Sequence, residues 1–290
     1  GAWGTRPRPG PRKCPHPQLG SWAGCKEKNR RRDKVSTCGF VVSAVGWGQN
    51  REPKTRQEDG GIVEKTGVTE ALDVIYEDEV LLVVDKPAGI LVHGDGTGVR
   101  TLTDLVADHL AAMGRPDARP QAVQRLDVDT SGLVLFSLDK ATQPALDAQV
   151  AGHPMAKRYL AVVQGRFPSG EKVIEQPLSR DRHDARRMRV CAPGRGKPAL
   201  TRVRRLAYAG GRSLLAVELG SGRKHQIRVH LAHLGFPIVG DTLYNGARSA
   251  SGLLLHAFEE ELEHPLTHER LRLRTAWPAR LGAWDPALWG

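Results

Sequence analysis

Strand-type runs dominate the chain from Leu72 onward, and they do not alternate with helical patterns. Asp73–Tyr76, Val80–Val84, Ile90–His93, Leu133–Leu138, Tyr159–Val163, residues 200–206 and 213–219, and Leu253–Phe258 read as strands. Lys86-Pro87-Ala88-Gly89 punctuates them as a turn, and Leu133–Leu138 is apolar enough to be a buried strand. Helical spacing appears in three places. Thr101-Leu-Thr-Asp104 forms a capping box ahead of Leu105, Val106 and Leu110, with Gly114 and Pro116 as stop signals. Ala141–Val150 follows Asp139 as its cap, and Lys224–Leu234 carries Ile227, Leu231 and Leu234 before Gly235. A doubly wound sheet needs a helix between successive parallel strands. This order lacks that and predicts an α+β body.

Length and composition narrow the class. At 290 residues, 40% hydrophobic and 26% charged, the chain can bury a sizeable core, which excludes wholesale disorder. No apolar run reaches the roughly 18 residues of a membrane-spanning helix, so no membrane partner is expected. Cys14, Cys25, Cys38 and Cys191 are too scattered for a disulfide framework or a paired-cysteine zinc site. A reducing, cytoplasmic compartment is the expectation. The formal net charge is +11, and eight of those charges fall in the first 34 residues, where ten Lys/Arg meet two acids. Pro7, Pro9, Pro11, Pro15 and Pro17, and the lack of any apolar period, predict a disordered arm there. Three readings of the arm stand: a solvated tail, a binder of nucleic-acid phosphates, or an organelle-targeting segment. Residues 1–70 are thus expected to form a basic extension and residues 71–290 the folded domain.

Several motifs fail as carriers of chemistry. Gly94-Asp-Gly96-Thr-Gly98 lacks the spacing of a dinucleotide loop, and Gly194-Arg-Gly196-Lys197 lacks the Ser/Thr and upstream glycine of a phosphate loop. His225, His230 and His233 are spaced by five and three with no fourth ligand near, so no metal is expected. Two segments differ. Gln124 to Gly132 place Arg125, Asp127 and Asp129 in a polar stretch against the apolar run Leu133–Leu138, where an exposed loop meets a rigid strand. The same Asp-x-Asp-Thr-Ser-Gly run also makes a good turn, and a glycosidase-like pair of Asp127 and Asp129 is a further reading. Ser221–Leu231 sets Arg223 before a helix start and His225 and Arg228 in its first turns. Cationic side chains there add to the helix dipole and suit an RNA phosphate; a solvated basic face is the alternative.

Taken in order, these segments resemble the RluA-type family of RNA pseudouridine synthases. The matching blocks are Val84-Asp85-Lys86-Pro87-Ala88-Gly89, Arg125-Leu126-Asp127 to Leu133, Lys157–Val162, and Gly222-Arg223 through Tyr244, with Leu255-His256-Ala257 and His264-Pro265 a weaker fifth. The resemblance implies a pseudouridine synthase fold, with a mixed, mostly antiparallel central sheet flanked by helices. It implies an isomerase acting on ribosomal or transfer RNA, with no cofactor and no metal. Such an enzyme turns a uridine out of the RNA, breaks its N-glycosidic bond, rotates the base and rejoins it through C5. By resemblance Asp127 is the catalytic aspartate, attacking the sugar or the base, or deprotonating the sugar. Arg223 is then the cationic partner that keeps it ionised. Tyr159 resembles the aromatic that stacks on the uracil and helps remove the C5 proton. Arg125 resembles the side chain that fills the gap left by the flipped nucleotide. Lys86, Lys157, Lys224, His225 and Arg228 are the expected further RNA contacts, and a monomer is expected.

The chain departs from the family at Gln124, where His is usual; Gln can hydrogen-bond but cannot carry a proton charge. Nothing before residue 70 resembles the accessory RNA-binding domain of many relatives. Aromatic residues are only 5%, so phosphate contacts and RNA shape are expected to outweigh multi-base stacking. A second function stands beside the enzyme: a catalytically inactive RNA-binding or ribosome-assembly protein of the same fold. Asp127, Tyr159 and Arg223 together favour the enzyme, because binding alone does not require them.

Overall fold

The computed structural model describes residues 72–152 and 155–289, so the readings made of residues 1–70 lie outside the described residues. Twelve strands are described: β1 (Val74–Glu77), β2 (Leu81–Lys86), β3 (Gln121–Ala122), β4 (Ser131–Ser137), β5 (Ala156–Gln164), β6 (Glu171–Ile174), β7 (Leu178–Arg180), β8 (Met188–Val190), β9 (Thr201–Ala209), β10 (Arg212–Leu219), β11 (Leu255–Glu263) and β12 (Arg270–Arg274). Three α-helices accompany them: α1 (Leu102–Ala112), α2 (Gln143–Gly152) and α3 (Gln226–His233). Ten strands form one sheet in the order β1-β2-β4-β11-β5-β10-β9-β6, with β12 on β11 and β3 on β4; β7 and β8 pair separately. Among the described strands only β11 and β4 pair in parallel. The architecture is the expected one: α+β, mixed and mostly antiparallel.

The apolar run in β4 is buried because helices cover both of its faces. Leu133 and Leu135 pack with Leu81, Val83 and Leu146 of α2, while Val134 and Phe136 pack with Leu82, Val84 and the Leu102, Val106 and Leu110 face of α1. Each such side chain contributes about 1.5–3 kcal/mol on burial. A third cluster joins β5 and β10 to Ile227 and Leu231 of α3. Asp104 and Thr101 make both hydrogen bonds of the expected capping box.

Where β4 meets β11, glycine is required. Gly132 has φ +114°, and a Cβ there would lie 2.2 Å from the Ala257 carbonyl oxygen. That close approach sets the residues before β4 beside β5 and β11.

Several boundaries differ from the sequence reading. Ile90–His93 is irregular, not a strand. Its carbonyls are occupied elsewhere: Leu91 O and Val92 O accept from Leu102 N and Thr103 N at the start of α1, and Ile90 O accepts from Lys86 Nζ. Asp139 closes a turn by accepting from Ala141 N, and α2 begins at Gln143. Helix α3 begins at Gln226, because His225 takes a left-handed conformation with φ +55°. Leu234 lies past its end and is exposed.

Candidate active site

The site is built around the loop between β3 and β4. Its backbone is fixed from beneath by Lys86, which is 0% exposed and donates from Nζ to the carbonyls of Pro87, Ile90 and Val128, each at 2.9 Å. Gly89 N also donates to Val128 O, and Thr130 N to Asp127 O. Burial pulls the Lys86 ammonium down to about 8, against the opposing charge of Asp129. Lys86 therefore clamps the loop that presents Asp127. The expectation that it contacts RNA is corrected, since no part of it reaches the surface.

Asp127 is partly open, with its side chain 25% exposed. Its Oδ2 accepts from Arg228 NH1 at 3.0 Å, and His225 Nε2 lies 3.9 Å from Oδ1. Arg228 is held in turn by Asp241, to which Nε and NH2 donate at 2.7 and 2.9 Å in a bidentate grip. Burial opposes the guanidinium charge, and Asp241 and Asp127 more than offset it, so the group stays protonated. Asp241 itself is 1% exposed. The carboxylate of Asp127 thus meets a donor whose direction is fixed by a second, fully buried carboxylate.

Arg223 is not the partner of Asp127, and that expectation is corrected. It is exposed, its Nε donates to Pro198 O at 3.0 Å, and it forms no ion pair with Asp127. The left-handed His225 turns the chain between the two arginines, and Arg228, in the first turn of α3, is the one directed at the carboxylate. Gln226 fixes this turn with four hydrogen bonds. Its Oε1 accepts from Ser221 Oγ and Arg223 N, and its Nε2 donates to Leu200 O and Thr201 Oγ1.

Tyr159 lies on β5, across from Ala257 of β11 and Val217 of β10, and is 6% exposed. Burial and the nearby carboxylates of Glu260 and Asp127 push its phenol far above the ordinary value. Gln124 donates its amide to Glu260, a fully buried carboxyl that burial pushes up to about 7. Lys157 is half-buried and pairs across the sheet with Glu260, which opposes the downward pull of burial on its ammonium.

Of the residues expected at RNA, Arg125 and Lys224 are exposed, whereas Arg228 and His225 are packed inside, with side chains 8% and 10% exposed. Asp129 is exposed, and its charge bears on Lys86 and Arg280. Among the described residues no group of three His, Cys, Asp or Glu side chains is placed to hold a metal ion. Asp241, Tyr244 and Glu260 are the members that sequence reasoning did not single out. The first two lie inside a matching block, but nothing in their spacing marks them. The arrangement presents a partly exposed carboxylate near an aromatic ring, which suits attack on, or proton removal from, a planar heterocycle or its attached sugar.

The RNA pseudouridylate synthase family model matches residues 80–233. A Bacillus subtilis protein described as an uncharacterized RNA pseudouridine synthase is 37% identical over 212 residues, covering 72% of this chain and 69% of that protein. Proteins described as ribosomal large subunit pseudouridine synthase D are 38% identical in Zymomonas mobilis (67% of this chain, 62% of the relative) and in Xanthomonas campestris (72% and 67%). The matches thus span 62% to 69% of these relatives' own length. The human RNA pseudouridylate synthase domain containing 1 structure is similar with a TM-score of 0.62 at 26% identity, covering 76% of this chain and 89% of that one. The human domain containing 4 structure is similar in fold, with a TM-score of 0.61 at 24% identity, covering 74% and 92%.

Proposed function

The chain belongs to the RNA pseudouridylate synthase family, and on that basis we propose that it isomerises uridines of large-subunit ribosomal RNA to pseudouridine, with Asp127 as the reacting group. The observation that carries the assignment is the ion pair of Asp127 with Arg228 at 3.0 Å, beside Tyr159 and open on one side. The reaction breaks the bond between C1′ and N1, forms one between C1′ and C5, and moves one proton from C5 to N1. Atoms and electrons balance within the nucleotide, so no co-substrate is needed. The Arg228 guanidinium donates to the carboxylate that every version of the role uses. The raised phenol keeps Tyr159 neutral, which favours stacking on the uracil. The exposed cations Arg125 and Lys224 supply contacts to RNA, with Arg125 in the role that the family resemblance gives it, filling the gap left by the flipped nucleotide.

The ribosomal preference rests on the names of the relatives, and transfer RNA is the competing substrate. An inactive RNA-binding protein is the second reading. It gives no reason for a buried Arg228–Asp241 pair whose third donor is aimed at the partly open carboxylate of Asp127, since burying that pair costs desolvation energy and contributes nothing to surface contact. The deciding experiment is tritium release from RNA carrying uridine tritiated at C5. Release from large-subunit ribosomal RNA and not from transfer RNA is expected. Release from neither contradicts the proposal.

A further inference from the structure

His225 has two different neighbours on its two ring nitrogens. Nε2 lies 3.9 Å from Asp127 Oδ1, and Nδ1 lies 2.8 Å from the hydroxyl oxygen of Tyr244. Tyr244 is 3% exposed, and the same oxygen accepts the Met188 N–H of β8 at 2.8 Å. Every hydrogen around that oxygen can be placed. A peptide N–H can only donate, so the phenol oxygen accepts from Met188. The phenol's own hydrogen then needs an acceptor, and among the described residues His225 Nδ1 is the one within hydrogen-bonding reach. An Nδ1–H imidazole would strand that buried hydroxyl hydrogen. The imidazole hydrogen therefore sits on Nε2, on the side of Asp127.

We infer that Tyr244 is a positioning residue of the uridine site, holding His225 as the Nε2–H tautomer with that N–H directed at the Asp127 carboxylate. The inference rests on the role proposed for Asp127. Tyr244 is itself well fixed. It packs with Leu178, Val229, Met188 and Val190, and the guanidinium carbons of Arg187 and Arg228 lie 5.3 and 5.2 Å from its ring centre. Because its anchor is the backbone of β8, the β7–β8 hairpin is tied to the reacting carboxylate although it stands outside the main sheet. The groups facing His225 are Asp127, Asp241, Arg228, Lys224 and Tyr244. Burial, aided by the two cations and opposed by the two carboxylates, lowers the imidazole below its ordinary range, so it is neutral near pH 7. Arg228 holds Oδ2 of Asp127 at 3.0 Å, and His225 faces Oδ1 at 3.9 Å.

The test is nitrogen NMR of the full chain with labelled histidine, free of RNA and near neutral pH, with His225 assigned by its loss in H225Q. In the wild-type protein Nε2 is expected protonated and Nδ1 not. In Y244F, which keeps the ring and loses only the hydroxyl, Nδ1 should move toward the protonated form. Turnover on ribosomal RNA should then fall about tenfold with KM within about twofold. Three results overturn the inference: an Nδ1–H tautomer in the wild-type protein, an unchanged tautomer in Y244F, or a changed tautomer without loss of turnover. If Y244F does not fold, the wild-type spectrum still decides the tautomer. A wild-type protein that shows the Nε2–H spectrum but forms no pseudouridine overturns the proposed function and leaves the tautomer standing.

Discussion

Arg228 donates three N–H groups to two carboxylates, and the division matters: two go to the buried Asp241 and one to the open Asp127. The first pair fixes the guanidinium plane, so the third donor meets Asp127 without a rotamer search. Lys86 does the same for the backbone, tying Pro87 and Ile90 to Val128. Replacing it with Met leaves three carbonyls without their charged donor. K86M should therefore lose on the order of 3 kcal/mol of unfolding free energy in a denaturant titration. Its kcat should fall while affinity for RNA changes little, whereas a lysine that contacts phosphate would weaken affinity and the salt slope. At this scale Asp127 was marked by the resemblance of Arg125-Leu126-Asp127 to the family's block, whereas its place before an apolar strand also suited a simple turn. The pairing was not marked. Arg223 and Arg228 are indistinguishable by type, and the left-handed conformation at His225 that separates them is one His tolerates without signalling. Burial of Lys86 was equally hidden, since a lysine beside a Pro-Ala-Gly turn reads as surface.

Strand β11 joins the site to the rest of the sheet. Its register shifts between Ala257 and Glu259, placing Ala257 opposite Tyr159 and Glu260 opposite Lys157. Glu260 is buried, bonded by Gln124, and has its carboxyl raised to about 7 from 4.5. The sign follows from linkage. A carboxyl raised by folding stabilises the protein fully below its unfolded pKa, and that contribution is lost as pH rises through about 7. E260Q, which does not titrate, should therefore gain on the wild-type protein across this window, by about 1–3 kcal/mol. Unfolding free energies measured at several pH values between about 5 and 8 check this; a gap that does not change with pH contradicts it. The apolar strands and the capped helix α1 were legible because period and caps are local. The β7–β8 hairpin was not, because its strands are short and arginine-rich. Neither was the loss of Ile90–His93 as a strand, which depends on carbonyls claimed by Lys86 and α1.

Across the whole molecule the charge is unevenly divided: eight of the eleven net positive charges precede residue 35, and the remaining 256 residues share three. Removing residues 1–34 should lower the slope of log affinity against log salt if the arm contacts RNA phosphates. A filter-binding series at several salt concentrations measures that slope, and an unchanged value assigns the arm to solvent. The fold and the reaction class were legible through the family resemblance of five ordered blocks, which the structure places on β2, the start of β4, β5, α3 and β11. Which RNA is chosen was not, because those blocks are the ones the family shares. The central claim is that the carboxylate of Asp127, oriented by Arg228, does the chemistry. It is tested most directly by D127N, assayed for both tritium release and RNA affinity. The account predicts that turnover falls by at least about a thousandfold while the dissociation constant stays within about threefold. Turnover within about tenfold of the wild-type protein would contradict it.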